Sequence, residues 1–154
     1  APNWLLRPTL RMMDRLQVGG IAASVDLQAL AAAQLGSAAG IADCRAGLYL
    51  FPGTAAAADD MDGVATDGPD PIVYRPVAYD GTSATTVVTI PFLEVGSYQV
   101  AATCAYDVDA ADTNDYDPNA IEGQPGYRTM TWSPLQSVAV TANATTAVAV
   151  PAMP

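Results

Sequence analysis

The stretch of this chain with the most chemistry to offer is YDVDAADTNDYDPNAIEG. It gathers Asp107, Asp109, Asp112, Asp115, Asp117 and Asn119, with Asn114 and Glu122 beside them. Calcium takes about six to eight oxygen ligands, from carboxylates, amides and backbone carbonyls on flexible loops, and this segment offers that set. Asp115, Asp117 and Asn119 even stand at the first, third and fifth positions of an EF-hand loop. The sixth position is then Ala120 where the sharp turn requires Gly, and the twelfth is Gly126 where a bidentate Glu belongs. The segment is therefore not an EF-hand. It stands as a candidate Ca2+ site, against the reading of a solvated acidic turn held by its own Asx caps. Asp59, Asp60 and Asp62 in DDMDG pose the same question more weakly. There, acids at the start of a helical turn need no metal to explain them.

Cys44 and Cys104 are the only cysteines. In GSYQVAATCAY, Tyr98, Val100, Ala102 and Cys104 share one strand face, and Cys44 shares parity with Leu48 and Leu50 in CRAGLYLF. Both thiols thus point inward if these runs are strands. A Cys44–Cys104 disulfide is expected, and with it an oxidising compartment. Two buried thiols are the alternative.

Other chemistries lack their residues. The chain has no His, which removes the commonest general base, the usual activator of Ser or Cys and the commonest metal ligand. The glycines of GSAAG around Ser37 are misplaced for a nucleophile elbow. No Gly-rich phosphate loop is present. The expectation is a protein without catalytic activity. Trp4, Tyr127 and Trp132 offer a sugar-stacking platform or, as aromatics on sandwiches usually do, cover for a core. Asn143-Ala144-Thr145 has the form of a glycosylation sequon but reads far better as a hairpin turn.

These residues must be positioned by strands. GGIAASVDL alternates, with Ile21, Ala23, Val25 and Leu27 on one face. LQALAAAQLG reads as a short helix closed by Gly36. AGLYLFPG is a strand and turn, and IVYRPVAY a strand whose proline suits a sheet edge. DGTS is a turn. ATTVVTIPFL and GSYQVAATCAY read as a hairpin across EVG, and LQSVAVTA and TTAVAVPA as a second hairpin over NA. In that second pair Val138, Val140, Val148 and Val150 are the inward candidates. Seven or eight short strands separated by turns predict an all-β antiparallel sandwich, immunoglobulin- or transthyretin-like, with one short helix.

The chain opens on APNWLLRPTLRMMDR, an extended strand over residues 1–15 ahead of a sandwich over 16–154. Trp4, Leu6, Leu10 and Met12 fall on one parity, with Arg7 and Arg11 on the other. A lone strand is not stable in water, so some sheet edge must receive it. The receiver is the chain's own sandwich or another copy, and in the second case head-to-tail strand addition makes a filament.

At 154 residues the length fits one domain with a real core. Lys is absent, and sixteen acids against six Arg give a net charge of −10. That charge argues against nucleic acid and anionic membranes as partners. No uncharged run is long enough for a transmembrane helix.

Two stretches carry a family likeness. NWLLRPTLRMMDRLQVGGIAASVD resembles the junction, of the form LRPTLRL followed by VG-I-G-VD, in a bacterial family of secreted proteins and lipoproteins known as domain of unknown function 4382. The remainder is similar in outline to carboxypeptidase-regulatory and transthyretin-like sandwiches, marked here by Phe92, Leu93, Gly96, Tyr98 and Val100. Ala23 stands where that family often carries Gly. The resemblance implies an extracellular or cell-surface location and no catalytic site. The expectation that follows is a structural subunit that self-associates through its N-terminal strand. The alternatives are a calcium-dependent ligand- or carbohydrate-binding module and an accessory domain of a longer lipoprotein.

Overall fold

The computed structural model describes residues 17–58, 69, 71–104 and 132–150. Alternation in the first of these stretches makes β1, Val18–Asp26, with Ile21, Ala23 and Val25 fully buried. Asp26 ends β1 and begins the next element: its carboxylate accepts the Ala29 N–H at 2.9 Å and caps α1, Leu27–Leu35. Leu27, Leu30 and Ala31 bury one side of this helix. It stops at Gly36, whose φ of 76° is the left-handed conformation that residues with a Cβ adopt at a cost. A short 3-10 turn, Ala38–Ala42, then delivers Cys44 to the core.

β2, Gly47–Pro52, is buried along nearly its whole length. β3, Val73–Pro76, is short and ends in the proline that suits an edge. Asp80 builds the turn that follows. Its carboxylate accepts the N–H groups of Ser83 (2.7 Å) and Thr82 (2.8 Å) and the Ser83 hydroxyl, and these bonds hold its pKa below the ordinary value. β4, Thr85–Glu94, β5, Gly96–Thr103, β6, Gln136–Val140, and β7, Thr145–Val150, complete the described elements.

Two sheets result. One has the order β4-β1-β7 and the other the order β3-β2-β5-β6. Every pairing is antiparallel except β1 with β7, which run parallel from Gly20↔Thr145 to Val25↔Val150. Between the sheets, Ile21, Val25, Ile90, Leu93 and Val150 face Leu48, Leu50, Val100, Val138 and Val140, and α1 contributes Leu27 and Leu30 to the same core. Val148 packs against it, half-buried. The outer face of the four-stranded sheet is covered as well. Trp132 meets Tyr49 and Phe51 edge-on, with ring centroids 4.8 and 5.6 Å away, and Ala55 and Ala101 join them. The protein is therefore an all-β sandwich with a short helix. Its described pairings are antiparallel, as expected, apart from the one parallel pair of β1 with β7.

Both expected hairpins are corrected. β4 and β5 follow one another but lie in different sheets, as do β6 and β7. Only Val95 separates β4 from β5, whereas a ladder hairpin uses a turn of about two residues. The Val95 N–H bonds to Gln17 C=O at 3.0 Å, and Tyr98 donates its hydroxyl to the Glu94 carbonyl at 2.8 Å, fixing the corner. In the β6–β7 link, Asn143 N–H donates to Val18 C=O and Ala144 C=O accepts from Gly20 N–H, each at 2.9 Å. The loop thus spends its polar groups on β1. Both links are arches that carry the chain across the core from one sheet to the other.

Candidate assembly surface

The expected disulfide is formed. Cys44 and Cys104 are joined, their Cα atoms 4.6 Å apart and 60 residues apart in sequence. Gln34 on α1 supports the neighbouring strand end: its carbonyl oxygen accepts the Cys104 N–H at 2.7 Å and its amide donates to Ala102 C=O at 3.3 Å. Where β6 stops pairing, Ser133 continues the β5 ladder, accepting the Ala102 N–H on Oγ at 2.8 Å and donating its own N–H to Ala102 C=O at 2.8 Å.

The strand residues Trp4, Leu6, Arg7, Leu10, Arg11 and Met12 lie outside the described residues. So do Asp107, Asp109, Asp112, Asp115, Asp117 and Asn119 of the candidate calcium loop, the acids Asp59, Asp60 and Asp62, and the aromatics Trp4 and Tyr127. Among the described residues no group of three or more His, Cys, Asp or Glu is placed to hold a metal. No described helix is long and apolar enough to cross a membrane. Trp132 is placed as core cover, its ring set against Tyr49 and Phe51.

What the structure does present is the three-stranded sheet. Its outer face follows from strand alternation: Ala22 and Ser24 on β1, Val87 and Thr89 on β4, Ala147 and Ala149 on β7. These side chains are small and uncharged, with Asp26 the acid at one end. β1 occupies the centre, so β4 and β7 are the edges. β4 is interrupted. Gly19 pairs with Leu93 and Ile21 with Ile90, so Gly20 alone opposes Pro91 and Phe92. This is a β-bulge, two residues against one. Phe92 sits in it at φ 60° and is 84% exposed. β7 differs: Thr145–Val150 contains no charge, no proline and no bulge, and among the described residues it pairs only with β1.

The other edges are blunted. β3 has four residues and carries Arg75 and Pro76. At β6, the Ala139 carbonyl accepts the Thr146 hydroxyl at 2.8 Å, tying that edge to the opposite sheet. Burial raises the Tyr98 phenol above its ordinary pKa, and the nearby Glu94 carboxylate adds to the shift, so the β4–β5 corner carries a neutral hydroxyl through ordinary pH.

Beside the bulge an open groove of about 230 Å³ runs along Val18, Gly19, Gly20, Pro91, Asn143 and Thr145, with Phe92 on its rim. Sequence reading took Phe92 only as a mark of the sandwich resemblance and missed its exposure, the bulge and the groove. The available signal was a break in parity: Ile90 and Leu93 both face the core although three positions apart, which an unbroken strand forbids.

Comparison with family models, with curated proteins and with solved structures finds no match to the chain.

Proposed function

We propose that this chain is a non-catalytic, extracytoplasmic structural protein: a subunit of a surface or extracellular assembly, joined by adding its N-terminal strand, residues 1–15, to a sheet edge of another copy. The edge of β7, which among the described residues pairs only with β1 and carries no charge, proline or bulge, supports this reading. Soluble proteins blunt their edges with charges, prolines, bulges or covering loops, because an open edge templates pairing with another chain. β3 and β4 each show one of these devices, and the Thr146–Ala139 bond ties β6 to β7; among the described residues β7 has no charge, proline or bulge and no ladder partner beyond β1. A fourth strand on β7 brings the smaller sheet to the size of its partner. Alternation suits the added strand: Trp4, Leu6, Leu10 and Met12 supply one apolar face, while Arg7 and Arg11 meet an acidic neighbour. A contact of this kind is head-to-tail and does not close, so it builds a fibre. The disulfide supports the oxidising compartment.

Negative-stain images of the chain with and without residues 1–14 test the reading. Filaments that vanish on deletion, and return when a peptide of residues 1–14 is fused to the C-terminus, are the expected result. Assembly unchanged by the deletion removes strand addition from consideration.

A further inference from the structure

Asn143-Ala144-Thr145 has the sequence of an N-glycosylation acceptor, Asn-X-Thr with X not proline, and strand addition leaves it unused. The hairpin that competes with this reading is not formed, since β6 and β7 lie in different sheets. In the arch that replaces it, Asn143 turns the chain at φ 56° and gives its backbone N–H to Val18 C=O at 2.9 Å. The turn thus uses only the backbone of Asn143. Its side-chain amide and the Thr145 hydroxyl have no hydrogen-bond partner among the described residues, and both residues are exposed. Those two groups are the ones that glycosyl transfer needs, the amide as acceptor and the hydroxyl for recognition. Phe92 stands beside them. An aromatic at φ 60° is a strained placement, and a ring 84% exposed adds nothing to the core. With Asn143 and Thr145 it lines the open groove along Gly19, Gly20 and Pro91. We infer that Asn143 carries an N-linked glycan whose first sugar lies in this groove, its apolar ring face against Phe92.

Two observations select a tethered sugar as the occupant. First, the groove is open and measures about 230 Å³, below the ~300–1,000 Å³ of pockets that hold a free small molecule. A group fixed to Asn143, on the groove's own wall, is presented at high effective concentration, so a weak seat suffices. Second, the lining has the mixed character of a sugar ring. Phe92 and Pro91 offer an apolar surface to its C–H face, and the Thr145 hydroxyl is at hand for its polar substituents. In the transfer, Asn143 Nδ2 attacks C1 of a sugar carried on a lipid pyrophosphate. The N–C1 bond forms and the C1–O bond to the pyrophosphate breaks. One amide proton passes to a carboxylate base of the transferase, and the lipid pyrophosphate departs with the electron pair. The inference shares with the proposed function only the extracytoplasmic location.

Mass spectrometry of the chain purified from the cells that make it is the test. Cleavage after Arg128 releases residues 129–154, in which Asn143 is the only Asn. Fragmentation of that peptide is expected to place a glycan mass on Asn143. Thr145→Ser should keep the mass, and Thr145→Val, which preserves the shape but not the hydroxyl, should lose it. The glycan-bearing chain should melt about 2–4 °C above the same chain made in a host without the transferase. Phe92→Gly should erase that difference, because the sugar has lost its seat. A bare Asn143, or a mass that survives Thr145→Val, overturns the inference. So do equal melting temperatures of the two wild-type forms, or a difference that Phe92→Gly leaves intact. Cell fractionation keeps the two readings apart: a bare Asn143 on an exported chain overturns this inference alone, whereas a chain retained in the cytoplasm overturns both.

Discussion

At the scale of single residues, the polar groups that matter most are those that finish what a strand leaves undone. Ser133 is almost wholly buried, and its hydroxyl accepts the Ala102 N–H beyond the end of β6. Without it that N–H, on the fully buried Ala102, has lost its partner. A buried donor left unpaired costs about 1–3 kcal/mol, more than the bond itself contributes net. Ser133→Ala should therefore lower the unfolding free energy by that amount, read as a lower urea midpoint at an unchanged slope. A shift within error would mean that water reaches Ala102. Asp80 works in the opposite setting, fully in solvent. Its three accepted bonds depress its pKa, so its contribution to stability is complete above the unfolded value of 3.8 and fades as pH falls below it.

At the scale of elements, the close passage of the β6–β7 arch over β1 is possible only because Gly19 has no side chain. A Cβ there would lie 2.1 Å from the Thr141 carbonyl oxygen and 2.8 Å from that of Ala144. Both are backbone atoms, and neither can rotate away. Gly19→Ala should cost about 3 kcal/mol, the upper range for overpacking, and circular dichroism melts against wild type will read it directly. An unchanged melting temperature would show that the arch is free to move off β1.

The two arches also show what the sequence left illegible. Alternation in YQVAATC, SVAV and TTAVAV identified inward residues, and the structure buries Val100, Val138, Val140 and Val150 as read, with Val148 half-buried. The helix, its Gly36 stop, the β3 edge and the disulfide were legible for the same reason: each rests on local geometry or parity. Alternation is silent about neighbours. Two consecutive strands with inward faces satisfy it equally side by side in one sheet or facing each other across the core. Local turn chemistry suggested the first. Tertiary bonds from Val95 to Gln17 and from Asn143 to Val18 impose the second. The place of β7 at the end of its described sheet was hidden for the same reason, since edge status follows from pairing order and not from composition.

At the scale of the whole molecule, the disulfide spans 60 residues and binds the start of β2 to the end of β5, with α1 held close through Gln34. In the chain-entropy model a loop of that length stabilises the fold by about 4 kcal/mol. For a sandwich of this size that is a large share of the total. Reduction under native conditions, or the paired Cys44→Ala and Cys104→Ala substitutions, should lower the guanidinium midpoint accordingly. A thiol assay that finds two reactive cysteines in the unreduced protein would contradict the bridge.

The parallel ladder between β1 and β7 has a kinetic consequence. β1 is the first of the described strands and the spine of the smaller sheet, yet its partners are β4, far along the chain, and β7, the last of them. Contacts between such distant segments carry a heavy loop-closure penalty and slow folding. Until β7 arrives, the spine stands with one flank bare. A nascent chain of this design thus spends its early life as a template awaiting its own tail, and any competing strand that reaches the flank first captures it.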